Sequence, residues 1–587
     1  MNSATLKVFA FTLLISSCTR TQQSIRILEG SDLEVGIEIQ SELTAQSADT
    51  FRLNLPARTF ISGNAEQITV DVVVNILDSA KKSVSGFDDA ARGPEPFNLT
   101  ARKAGIYYIV ISPFQQQEGK YSLKIGSAEP LAMDPGGRVD QIARSLTDEN
   151  GPGFSIAIAR DGETIYKNSF GLANLEYSIP NTQQTIFHIA SVSKQFTAFS
   201  IAMLVSQGKL SLDDDIRKYL PEIHDFGTPI TINHLIHHTS GLRDQWNLLM
   251  IAGWRLDDVI RMDHIIKMMA RQRELNFHPG AEFLYCNTGF TFLAEIVGRV
   301  TGTPFPEWTK QNIFEPLGMN RTLFYDDHEK VVENRAYSYY KPDSVYKKRV
   351  LSYANFGATS LFTTVEDIMK WAANFETMTV GNPKVMAMME QKFVLNNGDT
   401  IDYGFGQGIG EYKGLKTVSH GGADAGYRTT LIRFPEERVS IAVFSNLGSF
   451  SPNGFAYAAA DEFLIDQLVE EPGDEDSENP GAPQASEDLF DRNTVKLADY
   501  AGRFYSEEIQ SFYDIRVEND TVLMAHHQRN PDIVLNAVAP DEFRGNMGWM
   551  GNVKFTRNGK GKVTEMLISN GRVRNLSFKR EGGVIGI

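Results

Sequence analysis

The sequence predicts a multidomain protein in which a central α/β domain, a sheet packed by helices, stands between two all-β regions. Three observations predict this: the length of 587 residues, the change of hydrophobic pattern along the chain, and an acidic stretch with prolines before the C-terminal region. Single cores stop growing at roughly 250–300 residues, so a chain of this length divides into several domains.

Composition and net charge limit the classes of function that this protein can have. The sequence is 42% hydrophobic and 22% charged, as in soluble globular proteins, and no long apolar run follows the N-terminus. The formal net charge of -16 argues against a nucleic-acid partner, because phosphate binding needs clustered Lys and Arg. We therefore expect a water-soluble body that does not bind nucleic acid.

The N-terminus has the pattern of an export signal. Lys7 precedes an apolar run, residues 8–15, that is too short to span a bilayer. The run from Ile15 to Cys18 resembles a bacterial lipobox, whose cysteine is lipidated after cleavage; the alternative is a plain signal peptide with an incidental cysteine. We expect residues 1–18 to be a lipoprotein signal peptide. The protein would then be a periplasmic or outer-membrane/surface lipoprotein of a bacterium, with its lipid anchor as its only membrane contact.

The region 24–129 alternates strand-like runs with turn signals, and no helical periodicity stands out. The clearest runs are residues 68–76, 105–111 and 119–125. The pattern resembles the small pre-peptidase-like β-sandwich modules found beside secreted bacterial peptidases. Such a module carries no catalytic residue, and both glycan or wall-polymer binding and a spacer role stay open for it.

The region 130–469 mixes strands and helices. Asp161-Gly162 follows a strand-like run and is a strong hairpin signal, and apolar residues at helical spacing predict a helix over residues 195–208, bounded by Gly208. Late strands are expected at 429–434 and 439–444, before a helix that includes Tyr457 and Phe463. These elements predict a sheet packed by helices.

The C-terminal part begins with an acidic segment, residues 470–490, that contains several prolines and lacks the apolar density of a core, so we interpret it as a solvated linker. Strand-like runs then continue through the region 491–587. This last region resembles the small β-barrel appended to many bacterial β-lactamase-like hydrolases.

Ser191 and Lys194 are three residues apart, which on a helix places the hydroxyl and the amine on one face. A serine hydroxyl is a poor nucleophile at neutral pH, and a lysine that is desolvated enough to lose its proton can activate it. A Ser-x-x-Lys tetrad is common by chance, so its interpretation depends on the motifs that accompany it.

The accompanying motifs carry a family resemblance. The string 187–198 around the tetrad, Tyr285-Cys286-Asn287 and His420-Gly421-Gly422 occur in this order, and the strings 210–214 and 238–242 extend the match over residues 153–448. Together they resemble the serine β-lactamase-like hydrolases, which include class C β-lactamases, D-alanyl-D-alanine carboxypeptidases and family VIII esterases. The resemblance implies a β-lactamase/transpeptidase-like domain with an antiparallel sheet flanked by helices.

The resemblance also implies roles for individual residues. Ser191 would be the nucleophile, with Lys194 and Tyr285 transferring its proton; which of these two is the base stays open. The residues that would contact substrate are Asn287, His420, Gly421 and Gly422. The oxyanion hole would consist of the backbone N–H groups of Ser191 and Ala423.

His420 departs from the Lys-Thr-Gly motif that β-lactamases usually carry. We expect a histidine that titrates near neutrality to be a weaker anchor for a β-lactam carboxylate than a fixed lysine charge. Relatives with histidine at this position act as D-alanyl-D-alanine peptidases, D-amino-acid peptidases or esterases. The motif therefore widens the range of substrates without choosing among them.

Two other groups of residues have the chemistry of a possible site. His234, His237 and His238 have spacing that a metal site can use, but the Glu of the metalloprotease pattern is missing. Cys286 lies in the middle of the Tyr-x-Asn triplet, where the family usually has a small non-catalytic residue. With Cys18 lipidated, Cys286 also has no disulfide partner. We expect neither a metal nor an organic cofactor.

The predicted function is a serine hydrolase that acts through an acyl-enzyme on a small ester, amide or D-amino-acid peptide, which includes cell-wall-derived substrates. Two alternatives stay open. One is a penicillin-binding sensor or wall-binding protein that is acylated without turnover, and the other is a true β-lactamase.

Overall fold

The structure is a computed structural model that describes residues 24–88, 92–342, 345–469 and 495–582. The chain divides into two compact units, Met1–Leu131 and Ala132–Ile587. The predicted signal peptide with Cys18 and the predicted linker at 470–490 lie outside the described residues.

The first unit is a β-sandwich. One sheet has five strands in the order β1-β3-β8-β5-β6 and the other has four in the order β2-β9-β4-β7. Buried side chains of both sheets, such as Phe51, Ile109, Ile61 and Leu123, form one core between them, so the predicted all-β region is confirmed. The strands are β1 (Ser24–Asp32), β2 (Glu38–Leu43), β3 (Ser47–Leu55), β4 (Thr59–Gln67), β5 (Val72–Leu77), β6 (Ser83–Phe87), β7 (Gly93–Ala101), β8 (Gly105–Pro113) and β9 (Gly119–Pro130).

The single strand predicted over residues 68–76 is wrong in its first half. The chain turns after Gln67 and β5 starts only at Val72, because the Gln67 side chain accepts the Val72 N–H at 2.7 Å and ends the preceding strand. The N–H groups of Ile68 and Thr69 both donate to the Lys120 carbonyl near the start of β9, so residues 68–71 do not continue the ladder. A side-chain hydrogen bond of this kind leaves no trace in an alternation pattern.

The second unit begins with a six-stranded antiparallel sheet in the order β11-β10-β24-β23-β22-β21. Five short pairings surround it. The strands are β10 (Phe154–Arg160), β11 (Glu163–Phe170), β12 (Leu172–Asn174), β13 (Ile179–Pro180), β14 (Phe187–His188), β15 (Leu323–Phe324), β16 (Ser338–Tyr340), β17 (Lys347–Arg349), β18 (Leu361–Thr363), β19 (Phe393–Val394), β20 (Thr400–Ile401), β21 (Gly408–Tyr412), β22 (Leu415–Asp424), β23 (Tyr427–Phe434) and β24 (Val439–Ser445).

The helices of the second unit are α1 (Pro135–Ser145), α2 (Lys194–Ser206), α3 (Ile232–Ile236), α4 (Gln245–Ile251), α5 (Met262–Ala270), α6 (Asn287–Thr301), α7 (Phe305–Thr309), α8 (Val365–Thr377), α9 (Pro383–Met389) and α10 (Pro452–Phe463). Helices α1, α8 and α10 pack against the six-stranded sheet, as predicted, and α2 packs against α6 and α9. The chain leaves α2 through Gly208 in the left-handed region at φ 71°, as the sequence predicts for the end of this helix. Asp161 and Gly162 also have positive φ and close the β10–β11 hairpin.

The second unit ends in a closed barrel of eight antiparallel strands, which confirms the predicted C-terminal barrel. The barrel shares one buried cluster with the domain that precedes it. The Tyr513 hydroxyl donates to the Ile251 carbonyl at 2.9 Å, so polar contacts also cross this junction. The strands are β25 (Gly502–Ser506), β26 (Ser511–Glu518), β27 (Val522–His526), β28 (Ile533–Ala539), β29 (Glu542–Gly545), β30 (Asn552–Arg557), β31 (Val563–Ser569) and β32 (Leu576–Arg580).

Among the described residues, no helix has the combination of length and hydrophobicity that crossing a bilayer requires.

Candidate active site

Ser191 lies on a short 3₁₀ turn, Ala190–Ser193, directly before α2. Ala190 has φ 49°, and the Ser193 hydroxyl accepts the Leu361 N–H at 3.1 Å, so the turn is tied to the strand that runs beside it. The tetrad therefore straddles a 3₁₀ turn and the first residue of α2, where the sequence predicted one helix face. Ser191 stays partly exposed and is accessible from the cleft.

The Lys194 amine is fully buried and directed at Ser191. Its Nζ donates to Ser191 Oγ at 3.1 Å, to Asn287 Oδ1 at 2.9 Å and to the Ala358 carbonyl at 2.7 Å. An ammonium group has three protons, and each has an acceptor here. The predicted nucleophile, the predicted amine and Asn287 are thus brought together by the fold.

Burial also sets the protonation of this amine. Desolvation lowers the pKa of Lys194 to about 7, with Asp244 opposing the shift and the positive charge of Arg572 adding to it. A large fraction of the amine is therefore neutral near neutral pH. That form has a lone pair with which to accept the Ser191 proton.

Tyr285 precedes α6 and completes the group around the nucleophile. The centroid of its ring is 4.9 Å from Lys194 Nζ, its hydroxyl is 3.5 Å from His420 Nε2, and Ser191 is among the groups that influence the pKa of this hydroxyl. Burial raises the pKa of Tyr285 well above its usual value. The phenol therefore keeps its proton at neutral pH and is placed to donate it.

Asp244 holds Asn287 in position through hydrogen bonds. Its Oδ2 accepts the Asn287 N–H at 2.7 Å and the Asn287 side-chain amide at 2.8 Å, which fixes Asn287 Oδ1 toward Lys194. Its Oδ1 accepts the N–H groups of Trp246 and Asn247 as the N-cap of α4. A fully buried carboxylate with four N–H donors is well satisfied and holds two helix starts together.

A chain of hydrogen bonds orients the His420 ring. His420 Nδ1 lies 2.5 Å from the Gly421 carbonyl, which only accepts, so Nδ1 carries the proton and Nε2 is the acceptor. On the far side, His238 Nδ1 accepts the Cys286 N–H, so His238 Nε2 donates to the Tyr403 hydroxyl at 3.2 Å. The Tyr403 hydroxyl then donates to His420 Nε2 at 3.2 Å.

The expectation that His420 titrates near neutrality is wrong. Although the ring is partly exposed at the cleft, desolvation by the surrounding protein and the Lys194 charge lower the pKa of His420 to about 4. The ring is therefore neutral at pH 7. The conclusion drawn from the sequence becomes stronger, since no fixed positive charge stands at this position.

Strand β22 approaches the nucleophile turn very closely. A Cβ on Gly422 would lie 2.3 Å from the Ile189 carbonyl oxygen, so only glycine fits, whereas Gly421 has ordinary space around it. The Thr429 hydroxyl of the neighbouring strand donates to the same carbonyl at 2.9 Å. Ala423 follows on β22, and its role with the Ser191 N–H in an oxyanion hole stays a prediction.

The other candidate residues have structural partners. Burial raises the pKa of Cys286 to about 12, so its thiol is not an activated nucleophile. His237 contacts the Asn233 and Gln391 carbonyls through its two ring nitrogens, and His238 takes part in the chain described above. Within the described ranges, no cluster of three or more His, Cys, Asp or Glu side chains is arranged to hold a metal.

Sequence reasoning missed three residues of the site. Asp244 lies two residues after the string 238–242, and aspartate is a residue type that is common at helix N-caps. Tyr403 has no local signal. Arg572 lies on the connection between β31 and β32, residues 570–575, which we call the barrel loop; its backbone carbonyl accepts the Asp244 N–H at 3.2 Å. The barrel loop therefore contacts the active site through the hydrogen bond between Arg572 and Asp244.

Comparison with known proteins agrees with this geometry. The profile of the Beta-lactamase family matches residues 139–463. A D-aminopeptidase of Gluconobacter oxydans is 27% identical over 296 residues, which are 50% of this chain and 56% of the relative. A penicillin-binding protein of Bacillus subtilis is 30% identical over 312 residues, 50% of this chain and 67% of that protein. The chain therefore spans little more than half the length of its D-aminopeptidase relative.

Among solved structures, an octameric penicillin-binding protein homologue from Pyrococcus abyssi has a TM-score of 0.51 and 25% identity. The match covers 76% of this chain and 99% of that chain.

Proposed function

Because this chain belongs to the Beta-lactamase family, we propose that it is a serine hydrolase that forms an acyl-enzyme at Ser191 and releases it to water. The observation that carries the proposal is the buried Lys194 amine, with a pKa of about 7, at 3.1 Å from Ser191 Oγ. A neutral amine at this distance makes an ordinary serine hydroxyl reactive.

The mechanism follows from the protonation states. Neutral Lys194 takes the proton of Ser191 while Oγ attacks the carbonyl carbon, and the oxyanion is stabilised by the N–H groups of Ser191 and Ala423. Tyr285, a phenol at neutral pH, donates its proton toward the leaving group and regains one from the Lys194 ammonium. In deacylation the proton transfers run in the opposite direction. Lys194 and Tyr285 take a proton from the attacking water, and Ser191 Oγ regains a proton when its bond to the acyl group breaks. Lys194 is therefore the base, and Tyr285 is the relay.

We propose that the substrate is a small ester, a small amide or a D-amino-acid peptide, including cell-wall-derived ones. The support is that matched relatives are named D-aminopeptidases and a penicillin-binding protein. The neutral His420 ring argues against fast β-lactam hydrolysis, since it offers no charge to a β-lactam carboxylate at neutral pH. Export as a lipoprotein through Cys18 is a separate proposal, tested by loss of labelled palmitate incorporation in Cys18→Ala.

The test is a substrate panel on protein that lacks residues 1–18, with Ser191→Ala measured beside it. We expect Ser191-dependent turnover of p-nitrophenyl esters and D-alanyl peptides but slow turnover of a chromogenic cephalosporin. Removal of the nucleophile should lower kcat by about 10³-fold or more, with little effect on packing. Stable acylation without release would instead favour the sensor alternative, and fast cephalosporin hydrolysis a true β-lactamase.

A further inference from the structure

The catalytic domain holds the barrel loop firmly in place. The Arg572 carbonyl accepts both the Asp244 N–H at 3.2 Å and the Asn276 side-chain amide at 3.0 Å. The guanidinium of Arg243, which is fully buried, donates to the Arg574 carbonyl at 3.0 Å. Because Asp244 also fixes Asn287, the position of the loop is coupled directly to the catalytic residues.

The Arg572 side chain lies over the Tyr285 ring. Its guanidinium carbon is 5.0 Å from the centroid of the Tyr285 ring, and its charge contributes to lowering the pKa of Lys194. Among the residues that the structure describes, none accepts a hydrogen bond from this guanidinium or forms an ion pair with it. The neighbouring Arg574, by contrast, is paired with Glu282 through two bonds of 3.1 and 2.9 Å.

An arginine that lies beside the catalytic tyrosine and has no acceptor among the described residues has the chemistry of an anion site, because its planar fork matches a carboxylate. The Asp244 carboxylate, whose N–H contacts the same loop, already accepts four N–H groups. A group with a single negative charge fits better than a phosphate dianion, since Asp244 would repel a second charge.

We propose that Arg572 binds a free carboxylate of the substrate beside Tyr285, so that the enzyme prefers peptides that end in an unblocked carboxylate. This inference rests on the proposed function and narrows its substrate class. It places a cation for the substrate carboxylate on the barrel, at a position different from that of the neutral His420. Arg572 is accordingly a residue that determines specificity and is supplied by the appended domain.

The test compares one ligand with and without its charge: N-acetyl-D-alanyl-D-alanine and its C-terminal amide. The measured quantity is the ratio of their kcat/KM values, taken in the pH-independent range because loss of Arg572 also shifts Lys194. We expect the wild type to favour the acid and the ratio to fall about 10- to 100-fold in Arg572→Gln, with partial rescue in Arg572→Lys. The matched control is Arg574→Gln, on the same loop, which should keep the wild-type ratio.

An unchanged ratio in Arg572→Gln, with turnover still dependent on Ser191, would overturn this inference and leave the proposed function intact. If no substrate is turned over, the proposed function fails, and calorimetric titration of Ser191→Ala with the same two ligands decides the inference separately. Tighter binding of the acid that is lost in Ser191→Ala/Arg572→Gln supports it. Equal affinity for acid and amide, or no measurable binding of the acid, overturns it. Circular dichroism and thermal midpoints verify that each variant is folded.

Discussion

The two all-β regions of this protein differ in how they relate to its chemistry. The N-terminal sandwich closes a core that consists of its own residues. The C-terminal barrel shares its core with the catalytic domain and extends a loop to the surroundings of Lys194. The comparison teaches that a small appended domain becomes part of an active site when apolar and polar contacts both continue across the junction.

The strongest test of this difference replaces two buried carboxylates: Asp244, which contacts the barrel loop in the active site, and Asp49, which lies inside the sandwich. Asp244→Ala should lower kcat by about 10²-fold, because Asn287 and the barrel loop lose a shared support and small displacements of catalytic groups are costly. Enzyme kinetics on a neutral ester measure this. The matched control is Asp49→Ala in the sandwich, where the buried carboxylate accepts the Ser41 and Tyr121 hydroxyls. Asp49→Ala should destabilise the sandwich and leave kcat unchanged; an equal loss in both variants would contradict the comparison.

A second test breaks the ion pair that joins the barrel to the catalytic domain. Arg243 is fully buried and lies 2.9 Å from Glu508, so Glu508→Gln leaves a buried charge with weaker compensation. We expect the free energy of unfolding of the second unit to fall by about 3 kcal/mol in urea titrations. At the same junction, Asp258→Asn removes an exposed ion pair with Arg529. This change should lower the free energy of unfolding by at most about 1 kcal/mol. Similar losses of unfolding free energy in the two variants would show that the Arg243–Glu508 pair is not buried at a continuous junction.

The smallest expected effect is a shift of the pH profile. The reactive form of Lys194 is neutral, so kcat/KM for a neutral ester should rise with pH through a midpoint near pH 7. The positive charge of Arg572 lowers the pKa of Lys194, and its removal in Arg572→Gln therefore raises that pKa and moves the midpoint to higher pH. The midpoint of Arg574→Gln should stay in place. A midpoint that does not move in Arg572→Gln would show that the barrel is electrostatically remote from the site.

Most of the fold could be predicted from local patterns. The hairpin at Asp161-Gly162, the helix that ends before Gly208 and the late strands of the sheet all follow from turn chemistry and periodicity. The strand at residues 68–76 was predicted wrongly because the side chain of Gln67 ends the ladder. Such a bond depends on where a side chain points, which alternation does not encode.

The sequence by itself determined the motif residues and their order: Ser191 with Lys194, then Tyr285, then His420. Tertiary structure decided their chemical state, because desolvation depends on the atoms that surround a group and not on its neighbours in the chain. It therefore lowered the pKa of Lys194 to about 7, so that a large fraction of the amine is neutral at pH 7, and left His420 uncharged. It also brought Arg572 beside Tyr285 from a distant domain, a contact that arises only when the barrel packs against the catalytic domain and that no local pattern records.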